Sequence, residues 1–185
     1  MFFYSKPVVD DVTLREEASL DLVDLLLHTG FDLSTVDRVV GPQTGATLLA
    51  EAISKAIGVR RGTLCKWASP AKGTDQEKKT MVWDDPERKV LPGEHVLLCE
   101  DVTTTGGSVL LANDAVLKAG GIPFSRVLTL VNRSGENSIG EDLNLLALIT
   151  KHGPIWSPEE CPLCKDGSEA ISPKRPETNW ELLTA

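Results

Sequence analysis

The sequence is short of most features that mark a secreted, membrane-bound or nucleic-acid-binding protein. It has four cysteines in 185 residues, which does not resemble the disulfide framework of a secreted domain. No apolar run approaches the ~20 residues that a bilayer span needs. The opening MFFYSKPVVDD lacks the basic flank and long apolar stretch of a signal peptide, so a cytoplasmic address is expected, with no membrane partner. Basic residues are outnumbered, 19 Lys and Arg against 27 Asp and Glu, for a net charge of −8. That balance argues against nucleic acid as a partner, because such a partner needs a basic face. It leaves small anions open, since a nest of backbone amides binds phosphate even inside an acidic protein. No internal repeat or low-complexity segment is found.

What is present suits one domain with a real core: 41% of the residues are hydrophobic. Leu14, Ala18, Leu22, Leu25 and Leu26 recur at helical spacing and predict a helix over 13–30, with Thr13 and Glu16 as a capping box. A short strand is expected over 36–40 and a second helix over 45–57, stopped by Gly58. A strand over 63–66 and a polar, mobile loop over 67–79 follow. Thr80–Trp83 and Val90 flank a turn. A strand is expected over 95–99, a helix over 108–119 stopped by Gly120 and Gly121, and two strands over 125–131 and 143–149. Strands alternating with helices of this length indicate an α/β fold with a mostly parallel central sheet flanked by helices. Residues 1–152 read as the domain. Residues 153–185 read as a Pro-rich C-terminal extension (Pro154, Pro158, Pro162, Pro173, Pro176), packed on that domain or on a partner subunit.

The most informative stretch is Val96 to Ser108, VLLCEDVTTTGGS. In open parallel sheets ligands sit at the carboxyl ends of strands, and here a buried strand delivers Glu100 and Asp101 to that edge. The loop Thr103, Thr104, Thr105, Gly106, Gly107 and Ser108 then enters a helix. Free amides, the helix dipole and hydroxyl donors make an anion site. Two acids beside it repel a phosphate but accept hydrogen bonds from sugar hydroxyls or help hold Mg²⁺. The pattern asks for a ligand with both a phosphate and a diol, a ribose 5-phosphate. No lysine follows the glycines, so this is not a Walker A loop.

This stretch resembles the phosphoribosyl-pyrophosphate (PRPP) signature of type I phosphoribosyltransferases, and EDVTTTGGSV is most similar to the orotate branch. VVGPQTGATLLAEAI resembles that family's pyrophosphate loop and helix. The resemblance implies a reaction between PRPP and a nucleobase, with orotate the first choice, that releases pyrophosphate and uses Mg²⁺ carried on substrate oxygens. It implies that Glu100 and Asp101 meet the ribose hydroxyls and that residues 103–108 enclose the 5-phosphate. It places Gly41, Pro42, Gln43, Thr44 and Gly45 against the pyrophosphate. Lys72, in SPAKGTD, becomes the cation over the departing pyrophosphate, acting within a subunit or across a homodimer. Lys66 is a second phosphate candidate, with Lys78 and Lys79 behind it, and Arg133, in TLVNRSG, lies where the acceptor base is expected.

Two segments depart from the family pattern. About a dozen residues precede the first expected helix, where the orotate enzymes carry a segment that helps cover the base; Tyr4 and Lys6 are read as its remnant. In the tail, CPLCKDGS has the form of a zinc knuckle, but a structural zinc wants four ligands. Only Cys161 and Cys164 are local, with His152 a third candidate, so the favoured reading is a reduced thiol pair folding back over the active site, and no protein metal ligand is assigned. Trp156 and Trp180 are expected to pin the tail. A PRPP-sensing regulator of the same fold and a purine-salvage transferase remain alternatives. The regulator usually adds a nucleic-acid-binding part, and the few aromatics, 5% of residues, do not decide for or against a purine pocket.

Overall fold

The computed structural model describes residues 4–74, 79–154, 156–157, 159–168, 171 and 179. Lys78 and Trp180 lie outside them. Residues 4–152 form one unit and the tail from Gly153 a second.

Five helices and eight strands are seen among the described residues. Ser5 opens a short helix beyond those expected, α1 (Lys6–Asp10), with Pro7 in its first turn. α2 follows at once (Val12–His28), and its cap is Asp11, whose Oδ1 accepts from the Leu14 amide at 2.9 Å. The expected Thr13–Glu16 capping box is therefore replaced: an aspartate two residues earlier is as good an N-cap, and it leaves Thr13 inside the helix. β1 (Arg38–Val40) leads through residues 41–46 into α3 (Thr47–Arg61). α3 runs past Gly58 and stops at Gly62, which has φ 73°. Gly58 has a different duty, since a Cβ there would sit 3.3 Å from the Thr63 carbonyl of the returning chain.

The strand expected over 63–66 instead begins where that reading ended, as β2 (Lys66–Ala68). Arg61 accounts for the shift: it donates to the carbonyls of Thr63 and Leu64, curling residues 63–65 into a turn that leaves Leu64 94% exposed. The expected mobile loop over 67–79 also contains structure. β3 (Ala71–Lys72) pairs antiparallel with β4 (Met81–Val82), with Lys72 opposite Met81. Strands of two residues carry too little alternation to be read from sequence.

β5 (His95–Thr103) is longer than expected and includes both acids. α4 (Gly107–Lys118), β6 (Ile122–Asn132), a short β7 (Ser138–Ile139) and β8 (Leu143–Thr150) complete the body. The sheet order is β2-β1-β5-β6-β8-β7, parallel throughout except for β7 against β8. This is the α/β architecture read from the sequence.

The core forms on both faces of the sheet. Val96 and Leu98 of β5, with Val40 and Val127, pack against Val109, Ala112, Ala115 and Val116 of α4. Strand side chains alternate between faces, so Leu97 and Cys99 look the other way, among the fully buried residues of α2 and α3 such as Leu22, Leu26, Leu49 and Ile53. Each such leucine is worth about 1.5–3 kcal/mol of burial, which fixes β5 as the immobile centre of the sheet. In the tail, α5 (Pro162–Lys165) is a single turn capped by Cys161 at one end and by Gly167, φ 80°, at the other.

Candidate active site

At the amino edge of the sheet a salt-bridge cluster ties three strands together. Arg38 donates to Glu94 through Nε (2.8 Å) and Nη2 (3.0 Å), Lys66 Nζ lies 3.1 Å from the same carboxylate, and the Leu91 amide adds a bond of 2.9 Å. Burial works against the charge of Glu94, but these donors more than offset it and hold the carboxyl down to about 2. Lys66 pairs in register with Arg38 and is thus at the starting end of its strand. The structure does not bring it to the acids; the reading of Lys66 as a phosphate ligand is corrected, because it rested on a strand ending at 66.

The carboxyl edge is where the other predicted residues gather. Glu100 is 7% exposed and lines a cavity of about 850 Å³ together with Lys72, Lys79, Thr80 and residues 102–108. Burial first, then the hydrogen bond and charge of neighbouring Asp101, push the Glu100 carboxyl up to about 9; the Asp101 amide and the Lys72 charge pull the other way. Glu100 therefore keeps its proton at neutral pH. Being the next residue along the strand, Asp101 presents its carboxylate elsewhere. Oδ1 accepts from the Val102 amide at 2.8 Å and Oδ2 from the Ser5 hydroxyl at 2.6 Å.

Within the loop, Thr103 is buried and its hydroxyl donates to Thr129 at 3.2 Å, while its carbonyl accepts from the Arg133 amide at 2.8 Å. Thr103 contributes structure rather than a free hydroxyl; Thr104, Thr105 and Ser108 also line the cavity. Gly106 has φ 75°, and a Cβ there would meet the Ile139 side chain at 2.4 Å. That position caps α4 with no side chain, so the first amides of the helix lack intrahelical partners and face the cavity as an anion seat.

The segment 41–45 is braced from below. Gly41 donates to the Ala68 carbonyl at 3.2 Å and accepts from the Ser69 hydroxyl at 2.7 Å; Gln43 bonds through its amide to Pro70 (3.0 Å) and through its side chain to Ser69 (3.1 Å). Pro42 is buried, Thr44 and Gly45 are exposed, and the Gln43–Thr44 peptide is cis. A Cβ on Gly45 would lie 2.9 Å from both Asp101 oxygens, so this segment packs directly beside Asp101. Arg133 follows β6 at the same edge; its Nε is buried and has no partner among the described residues, and no ion pair links it to Glu136 or Glu141. Sequence reasoning missed Ser5: the Ser-x-Pro start of α1 was a legible helix signal, but nothing local pointed to Asp101.

The four cysteines are unpaired. Burial, with the Glu100 and Asp101 charges, pushes the Cys99 thiol well above its ordinary range, and burial raises Cys65 to about 11, so neither is a nucleophile. Among the described residues no group of three metal-ligating side chains is found.

A parallel sheet whose central strand ends in two acids and passes through a Thr/Gly loop into a bare helix start is a phosphoribosyl-transfer architecture. Residues 16–136 match the phosphoribosyl transferase domain family, and the chain belongs to it. Within the family the similarity falls in the orotate branch. The chain is 40% identical over 149 residues to the orotate phosphoribosyltransferase of Heliobacterium modesticaldum, covering 80% of this chain and 70% of that protein. Its fold is shared with Mycobacterium tuberculosis H37Rv orotate phosphoribosyltransferase in complex with Fe(III) dicitrate (TM-score 0.61, 21% identity, 80% of this chain and 79% of that one). It is shared also with adenine phosphoribosyltransferase from Rhodothermus marinus DSM 4252 (TM-score 0.58, 18% identity, 81% and 86%). At such identities the fold alone is shared, and a fold does not choose the acceptor.

Proposed function

We propose that the protein transfers the 5-phosphoribosyl group of PRPP to orotate, forming orotidine 5-phosphate and releasing pyrophosphate. The observation that carries this reading is the acid pair set one loop before an unpartnered helix start, in a chain so similar to an orotate phosphoribosyltransferase. The bond from ribose C1 to the pyrophosphate oxygen breaks, a bond from C1 to the base nitrogen forms, and the base loses a proton. Positive charge develops on the sugar, so the chain needs no nucleophile of its own; it needs to hold the ribose still and to accept the negative charge of the leaving group.

In this reading Glu100 and Asp101 take the ribose hydroxyls. The amides and hydroxyls of residues 104–108 enclose the 5-phosphate, with Thr103 bracing the loop from inside. Residues 41–45 face the pyrophosphate, and Lys72, already on the cavity wall, balances its charge as it departs. Arg133, with an unspent donor, forks onto the orotate carboxylate. Mg²⁺ fits this donor set: a buried carboxyl that holds its proton beside a second acid is relieved by a cation carried in on substrate oxygens. When bound, Mg²⁺ supplies neutralisation of pyrophosphate charge, and Glu100 and Asp101 are the residues that would help hold it. Four unpaired thiols support a reducing, cytoplasmic compartment, and a homodimer is part of the same reading.

Purified protein supplied with PRPP, Mg²⁺ and a panel of bases should release pyrophosphate with orotate. Release with adenine instead would move the assignment to purine salvage. Binding of PRPP without release for any base would make the protein a sensor.

A further inference from the structure

We propose that Ser5 is a positioning residue for this reaction: its hydroxyl holds the Asp101 carboxylate in the orientation that receives a ribose hydroxyl. The proposal rests on the phosphoribosyl-transfer reading above.

The contact joins residues 96 apart in sequence at 2.6 Å. Asp101 is then pinned at both oxygens, by Ser5 at Oδ2 and by the Val102 amide at Oδ1, and a side chain at position 45 would collide with it. A carboxylate has about four lone-pair sites, so beyond these two bonds and the one shared with Glu100 an acceptor site stays available to a sugar. The terminal torsion of an aspartate is soft. With one oxygen released, the carboxylate turns about that torsion, and the ligand must spend binding energy to realign it.

Ser5 gives up an ordinary use of its hydroxyl to make this bond. At the N-cap of a helix a serine usually caps the amides two or three residues on. Here the side chain makes no cap bond, and α1 is started instead by the Ser5 carbonyl, which accepts from Val8 and Val9 at 3.0 Å each. Loss of the hydroxyl therefore leaves the helix its own bonds. α1 is seated on the body by buried Val9 and by Arg15, which donates to the carbonyls of Val9 and Asp10. A packed element thus carries the hydroxyl to Asp101 before any ligand arrives.

The test compares full-length wild type, Ser5→Ala and Ser5→Thr. Steady-state rates are measured with PRPP, Mg²⁺ and orotate, and PRPP binding is measured separately by calorimetry without orotate. Ser5→Ala should raise both KM and Kd for PRPP about tenfold, the worth of one hydrogen bond to a charged group. Its kcat, orotate KM and Tm should stay close to wild type, and Ser5→Thr should restore PRPP affinity. Unchanged PRPP affinity in Ser5→Ala overturns the proposal. So does tighter binding, which would make Ser5 a competitor of the sugar. A joint loss of Tm, kcat and both KM values without rescue by threonine would reduce Ser5 to a structural role. If wild type itself neither binds PRPP nor releases pyrophosphate, the parent reading fails, an outcome that the variants do not mimic.

Discussion

Glu100 holds its proton to about pH 9 in the folded protein, against an ordinary value of 4.5. The folded state thus binds a proton that the unfolded state releases from about pH 4.5 upward, so stability falls as pH rises through that window and levels off above about 9. The slope is at most about 1.4 kcal/mol per pH unit. Glu100→Gln should flatten this dependence in thermal melts while weakening PRPP use; a slope unchanged in the variant would assign it to another group. Lys66 makes the opposite point. Its side chain is 61% exposed and tied to Glu94 at the far edge, so Lys66→Ala should leave the KM for PRPP alone and cost less than about 1 kcal/mol in denaturant melts. A rise in that KM would restore Lys66 to the phosphate site.

The hairpin of β3 and β4 is the element that presents Lys72. Replacing that lysine by alanine should lower kcat by about tenfold or more, with a smaller effect on PRPP binding, if its contact strengthens as pyrophosphate leaves. Equal losses in single-turnover rate and in binding would mean plain attraction instead. This hairpin also marks the limit of what the chain's pattern discloses. The long elements were legible because apolar residues repeat along α2, α3, β5 and α4, and because two acids before a Thr/Gly loop have few structural uses. Three shorter features were not. The hairpin strands have two residues each, below any readable period. The start of β2 was displaced by Arg61, whose reach to carbonyls at 63 and 64 is invisible in a linear pattern. The Ser5–Asp101 contact depends on where α1 docks, which no local signal encodes.

Across the whole body, the proposed binding residues and a stabilising clamp occupy opposite ends of one sheet. The carboxyl ends of β5 and β6 carry acids, loop and Arg133; the amino ends of β1, β2 and β5 are clamped by Arg38, Glu94 and Lys66. Removing the acid from that buried clamp leaves Arg38 uncompensated, so Glu94→Ala should destabilise the protein by about 3–5 kcal/mol and leave kcat per folded molecule near wild type. Guanidinium unfolding monitored by circular dichroism, with rates on the folded fraction, checks both halves. Glu94 is held at about 2 against an ordinary 4.5, so its support is full above about pH 4.5 and fades as pH falls through about 2. The two flanks of the sheet have a separate consequence. β2 offers three residues and β7 only two, and the first of them begins with a lysine. Neither flank presents a long ladder for a neighbouring molecule to extend, so in a crowded solution these two edges are poor starting points for fibril growth.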